Sequence, residues 1–112
     1  MKYLFGFTGL AAGVVVLAVG AATVKAAPAG DAAKGKDVFE QCAVCHNADS
    51  TEKKMGPGLK GLFKKAKLNN GKPVTEANVK ALINAGGNGM PAYADMLSDE
   101  ERADVIAYLK TL

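Results

Sequence analysis

Both cysteines of this chain and its only histidine fall within five residues, Cys42-Ala43-Val44-Cys45-His46. Two thiols three positions apart on a helical turn can both reach the vinyl groups on one edge of a porphyrin and form thioethers. The residue after them then projects an imidazole under the iron, where a ring nitrogen is a strong-field axial ligand. C-x-x-C-H at this spacing is the attachment signature of haem c. The stretch therefore predicts one covalent haem c held by Cys42 and Cys45, with His46 as a metal ligand. Three other chemistries compete. A structural zinc site needs four ligands, and the chain offers two Cys, one His and no second C-x-x-C. A redox-active dithiol calls for a βαβ context, and no strand–helix–strand pattern is present downstream. A plain disulfide remains the simplest alternative for an exported C-x-x-C without haem.

A haem iron held by one imidazole has a second axial position, and the chain has no second histidine. Methionine is normally core filler, but Met90 lies in Asn88-Gly89-Met90-Pro91-Ala92-Tyr93, a loop fixed by Gly and Pro and far enough downstream to reach the opposite face. Met55 is only nine residues beyond His46 and adjoins the loop expected to support that histidine from its own side. Met96 lies next to the last helix, where a core contact explains it. Met90 is therefore the expected sixth ligand. On the other side, Gly56-Pro57-Gly58 is turn chemistry. Pro57 has a carbonyl and no N–H, so its oxygen can accept the second imidazole proton of His46, the kind of partner a metal-bound histidine usually has. Leu59, Leu62 and Phe63 are expected on the haem edge. An ordinary loop with a hydrophobic anchor is the alternative for this stretch.

Three helices must carry these residues. Asp31 is a good N-cap for a helix from Ala32 to Gln41 running into the haem motif, with Val38 and Phe39 as its bulky apolar residues. Gly35 inside it costs about 1 kcal/mol against alanine, which either a close helix crossing or a tolerated surface glycine would explain. Thr75 caps a helix over 76–85, whose Val79, Leu82 and Ile83 form one stripe and which Gly86-Gly87 stops. Ser98 and Glu101 form a capping box ahead of a helix burying Val105, Ile106, Leu109 and Leu112, with Tyr108 alongside. Gly35 and Phe39 are suitable partners for that face.

Lys2 is followed by an almost unbroken apolar run over residues 4–24, and Val24-Lys25-Ala26 offers a cut before Ala27. Residues 1–26 therefore read as a secretory signal or an uncleaved membrane anchor. Richness in Gly and Ala and the cut site favour cleavage, which would leave a domain of 27–112. Either way the domain is delivered outside the cytoplasm, where covalent haem attachment takes place in bacteria. The expected location is periplasmic: soluble if cut after Ala26, otherwise attached to the membrane through residues 4–24. A domain this small has a modest core, and a haem would supply a large apolar body within it. The net charge of +3 argues for no nucleic-acid partner. It conceals a polarity: seven lysines and no acid lie between Lys53 and Lys72, against six acids and three bases from Pro73 onward. These lysines either steer an acidic partner or keep a loop solvated.

In order, a helix with Gly and Phe, C-x-x-C-H, G-P-x-L-x-G-L-F, a middle helix, G-M-P and a helix ending in Y-L span residues 30–112. This series resembles the small bacterial class I cytochromes c. The resemblance implies an all-α cytochrome c fold, with three to five helices around one covalent haem and crossed terminal helices. It implies haem bound through Cys42 and Cys45, His46 proximal, Met90 distal and the Pro57 carbonyl receiving the His46 proton. It also implies a one-electron carrier, not an enzyme, docking transiently with redox donors and acceptors. Two departures are visible: Lys64-Lys65 stands where many members have an arginine, and tryptophan is absent. Lysine lacks arginine's planar fork, so no propionate partner is implied here. The rival functions are a haem enzyme or gas/peroxide sensor with an open iron, and a membrane-anchored subunit of a larger oxidoreductase.

Overall fold

The computed structural model describes residues 30–112, together with Gly9, 13–16, Ala18 and Gly20. The signal or anchor expected over 1–26 otherwise lies outside the described residues. Among the described residues no helix is long and apolar enough to cross a membrane. The elements are α1 (Ala32–Phe39), a 3₁₀ turn (Leu62–Lys64), α2 (Glu76–Ala85) and α3 (Asp99–Leu109). The fold is all-α, as expected.

Each helix begins where a side chain can satisfy its first N–H groups. Asp31 accepts from the N–H of Ala33 and Lys34, Thr75 from that of Asn78, and Ser98 and Glu101 complete a reciprocal capping box. Helix α1 ends at Phe39, two residues before the expected Gln41. The Glu40 N–H turns to the Asp37 carbonyl and the Cys42 N–H to that of Phe39, tightening the chain into three-residue turns. Gly86, with φ +64, closes α2 by donating to the Leu82 carbonyl.

α1 crosses α3, and Gly35 lies directly against the α3 backbone. A Cβ there would stand 1.9 Å from the Asp104 carbonyl oxygen, so the glycine permits the crossing and is no surface accident. Phe39 meets Tyr108 with ring centroids 5.3 Å apart at 55°, a favourable tilted pair. The Asp104 carboxylate, buried on α3, accepts the Asp31 N–H at 2.7 Å at the start of α1. Val79 of α2 joins Phe39, Leu59, Leu62, Leu68, Val105, Ile106 and Leu109 in one core, with Leu82, Ile83, Tyr108 and Leu112 half-buried against it. Lys110 pairs with Glu76 between the end of α3 and the start of α2.

One residue departs from expectation. Met96 is 59% exposed, not a core contact, and Leu97 is buried in its place. The N–H groups of both residues turn back to the Tyr93 carbonyl, and it is Leu97 that the turn brings inward. Leu68, inside the lysine-rich stretch, is also buried. Lys67 pairs with Pro73, and the Leu68 and Val74 N–H groups donate to Lys72 and Ala66, closing this loop on itself while its lysines stay exposed.

Candidate haem site

The Phe39 carbonyl accepts the N–H of both Cys42 (2.7 Å) and Ala43 (2.9 Å), and the Cys42 carbonyl those of Cys45 (3.0 Å) and His46 (2.9 Å). One hydrogen-bonded turn, continuing from α1, therefore carries both thiols and the imidazole. The sulfurs are half-buried and not joined to each other. Burial, and secondarily the neighbouring Cys45, push the Cys42 thiol up from its ordinary value. An environment that disfavours a thiolate suits an uncharged thioether sulfur.

The loop after His46 is tied back to this turn. Gly56 donates to the Cys45 carbonyl at 2.8 Å and Leu59 to that of Asn47 at 2.7 Å, while the Asn47 amide reaches the Glu52 carbonyl at 3.0 Å. The result is a Pro57 carbonyl 2.8 Å from His46 Nδ1. A carbonyl can only accept, so Nδ1 carries the proton and Nε2 keeps its lone pair for a metal. Gly56 is needed for closeness: a Cβ would lie 2.5 Å from the imidazole Cε1.

On the downstream side, Asn88 (φ 52) and Gly89 (φ 88) occupy the two central positions of a tight turn. Gly87 and Met90 exchange hydrogen bonds of 3.0 Å in both directions across it. Two successive positive φ values define a type I′ turn, for which Asn-Gly is the strongest sequence signal. Met90, half-buried, thus sits at the fixed end of a hairpin turn rather than in a loose loop. Three residues on, the Tyr93 N–H donates to Ile83 at the end of α2 (2.9 Å). Burial raises the Tyr93 hydroxyl, with smaller contributions from Cys42 and Cys45.

Leu59 and Leu62 are buried in the core and Phe63 packs half-buried against it. Met55 is 79% exposed, with its Sδ 4.0 Å from Cys45 Sγ, and its neighbour Gly56 lies on the imidazole. It belongs to the histidine's own side. An open cavity of about 450 Å³ is lined by Phe39, Ala43, His46, Asn47, Lys54 and Tyr108 among others. It therefore opens on the imidazole, while Met90, Tyr93 and Leu59 do not line it. Among the described residues no three His, Cys, Asp or Glu side chains cluster as a metal site. Two half-buried sulfurs, an imidazole with its outer nitrogen already satisfied and an apolar wall are the donor set and surroundings of a haem c. The residues fit that group.

Each cysteine supplies one thioether, so Cys42→Ala and Cys45→Ala should each leave haem attached through a single bond and lower the yield of loaded protein. Mass spectrometry and the pyridine haemochrome spectrum check this. A doubly linked haem spectrum from either variant would contradict it.

Comparison with known proteins agrees with this construction. The profile of the Cytochrome c family matches residues 32–112. Cytochrome c of Chlamydomonas reinhardtii is 37% identical over 107 aligned residues, covering 79% of this chain and 95% of that protein. Cytochrome c2 of Blastochloris viridis is 34% identical over 107, covering 80% and 84%. Among solved structures, cytochrome c6 of the diatom Phaeodactylum tricornutum superposes with a TM-score of 0.59 at 30% identity, covering 73% of this chain and 93% of that one.

Proposed function

The chain belongs to the cytochrome c family and is an electron carrier holding one haem c through Cys42 and Cys45, and we propose that His46 and Met90 are the two protein ligands of its iron. The bound haem supplies the one-electron couple. The chain's part is to hold that group still. The observation that carries this reading is the 2.8 Å contact between His46 Nδ1 and the Pro57 carbonyl. It fixes the ring's tautomer and direction from a loop that is itself pinned to the cysteine turn. Met90, braced by the Gly87 hydrogen bonds, brings the second ligand. With His46 and Met90 both holding the iron there would be no place for a reactant, so the rigid site would suit electron exchange and not substrate chemistry. Leu59 and Phe63 furnish apolar wall.

Donor and acceptor are redox proteins that dock briefly. The lysines between 53 and 72 are all exposed, and Lys54 holds its ammonium 3.1 Å from the Ala43 carbonyl, beside the cysteine turn. This supports an acidic partner surface drawn in by charge, with association slowed by salt. Delivery outside the cytoplasm through residues 1–26 is part of the same proposal.

A potentiometric titration followed optically tests it. A single one-electron wave between two low-spin states is expected. A high-spin ferric spectrum with rapid cyanide uptake would instead assign an open iron, as in an enzyme or sensor. The mass of the mature protein shows whether residues 1–26 are retained.

A further inference from the structure

The chain has a single arginine, Arg102. Among the described residues every lysine is exposed, whereas Arg102 is 8% exposed. A buried guanidinium is costly unless its N–H groups are met, and its partners here are specific. One terminal nitrogen donates to the carbonyls of Ala94 (2.8 Å) and Leu97 (2.7 Å), the other to the Asp99 carboxylate. Nε is buried and makes no hydrogen bond, so the hold is exerted by the two terminal nitrogens. Both carbonyls belong to the segment immediately downstream of Met90.

We propose that Arg102 is a positioning residue for the sixth ligand, its guanidinium fastening the 90–97 segment, and with it Met90, to α3. The inference rests on Met90 being that ligand. The segment is held from two sides. Tyr93 and Ala94 donate to the last carbonyls of α2, those of Ile83 (2.9 Å) and Asn84 (3.4 Å), while Arg102 takes the carbonyls of Ala94 and Leu97 from α3. Upstream, the Gly87–Met90 turn spends both backbone groups of Met90 within itself, and the Met90–Pro91 backbone lies against Gly86 at the end of α2, so the turn is tied to α2 but not to α3. Residues 93–97 make the link to α3, and Arg102 is the side chain that grips them. The planar fork serves the two carbonyls and the carboxylate from two separated nitrogens, whereas an ammonium gathers its donors at one point. Arg102's hydrogen bond and charge, with Lys80's charge, hold the Asp99 carboxyl below its ordinary value, so the counter-charge is in place throughout the neutral range.

The test compares loaded Arg102→Gln and Arg102→Lys with Asp104→Asn, a change on the same helix that loosens α1 and leaves the 90–97 segment untouched. Cyanide binding to the ferric protein reads how often the thioether leaves, and its long-wavelength charge-transfer band reads how firmly it stays. Charge-assisted hydrogen bonds lost from the segment should speed cyanide binding roughly ten- to a hundredfold in Arg102→Gln. Arg102→Lys should lie between it and wild type, and the band should be lost at lower temperature in both. Asp104→Asn, compared at equal loss of unfolding stability, should bind cyanide near the wild-type rate. Wild-type cyanide kinetics in both Arg102 variants, or equal acceleration in Asp104→Asn, overturns the proposal. If Arg102→Gln does not mature, Arg102→Lys decides alone. Met90→Ala run in parallel separates the two ideas. If it retains the band, the ligand assignment has failed; if it loses the band while the Arg102 variants behave as wild type, only the clamp has.

Discussion

Met90→Ala should lower the reduction potential by on the order of a tenth of a volt or more and let cyanide bind the ferric protein without waiting for a loop to open. A thioether favours the ferrous state, so its removal favours the ferric one. Alanine offers no donor, and the Gly87–Met90 turn is made of backbone hydrogen bonds that the substitution leaves alone, so the change isolates the sulfur. Met55→Ala is the matching control and should change neither property. Met55 is 79% exposed, its sulfur lies against Cys45, and it precedes the glycine that packs on the imidazole. Met96 is likewise exposed and far from commanding the site. An unaltered potential and an inert iron in Met90→Ala would move the ligand to another residue; the same changes appearing in Met55→Ala would move it there.

Gly35→Ala should destabilise the folded holoprotein by roughly 2 kcal/mol or more, although helix propensity alone favours alanine by about 1 kcal/mol. The sign is decided at the crossing. The new Cβ would meet the Asp104 carbonyl oxygen at 1.9 Å and the Tyr108 Cβ at 2.9 Å. The first of these obstacles is helix backbone, which cannot swing aside like the end of a long side chain. α1 and α3 must move apart, loosening the Phe39–Tyr108 ring pair and the Asp31–Asp104 hydrogen bond together. Because the cysteine turn continues directly from α1, the shift also displaces the residues that hold the haem. Urea denaturation followed by the haem absorbance measures the loss. Stability at or above wild type would show that the helices re-space without cost.

Several features of this protein are settled by residues adjacent in the chain. The three helix starts need only Asp31, Thr75 and Ser98 followed by N–H groups two or three positions on. The geometry of Cys42, Cys45 and His46 needs one helical turn. The turn before Met90 is legible too, since Asn88-Gly89 is a type I′ signal, although Gly and Pro there suit a looser loop equally well. Local rules suffice in these places because each hydrogen bond closes within four residues. The end of α1 at Phe39 already exceeds them, as the backbone there tightens to deliver the thiols.

Other features depend on what distant segments bring. Whether Gly35 marks a crossing or a tolerated surface position is decided by Asp104, nearly seventy residues away, lying against it. Leu68 stands alone among lysines, with no periodicity to announce it, and is buried because the Lys67–Pro73 pairing turns it inward. Met96 faces out, against expectation, and Leu97 faces in, because both N–H groups turn back to Tyr93 and one of two neighbours on such a turn must face out. Arg102 and Asp104 are charged side chains buried on α3. They are buried because carbonyls of the 90–97 segment and an N–H at the start of α1 arrive to meet them. Composition fixes which groups can form hydrogen bonds and which surfaces avoid water. Only the assembled chain determines which charged group has enough partners to be worth taking out of water.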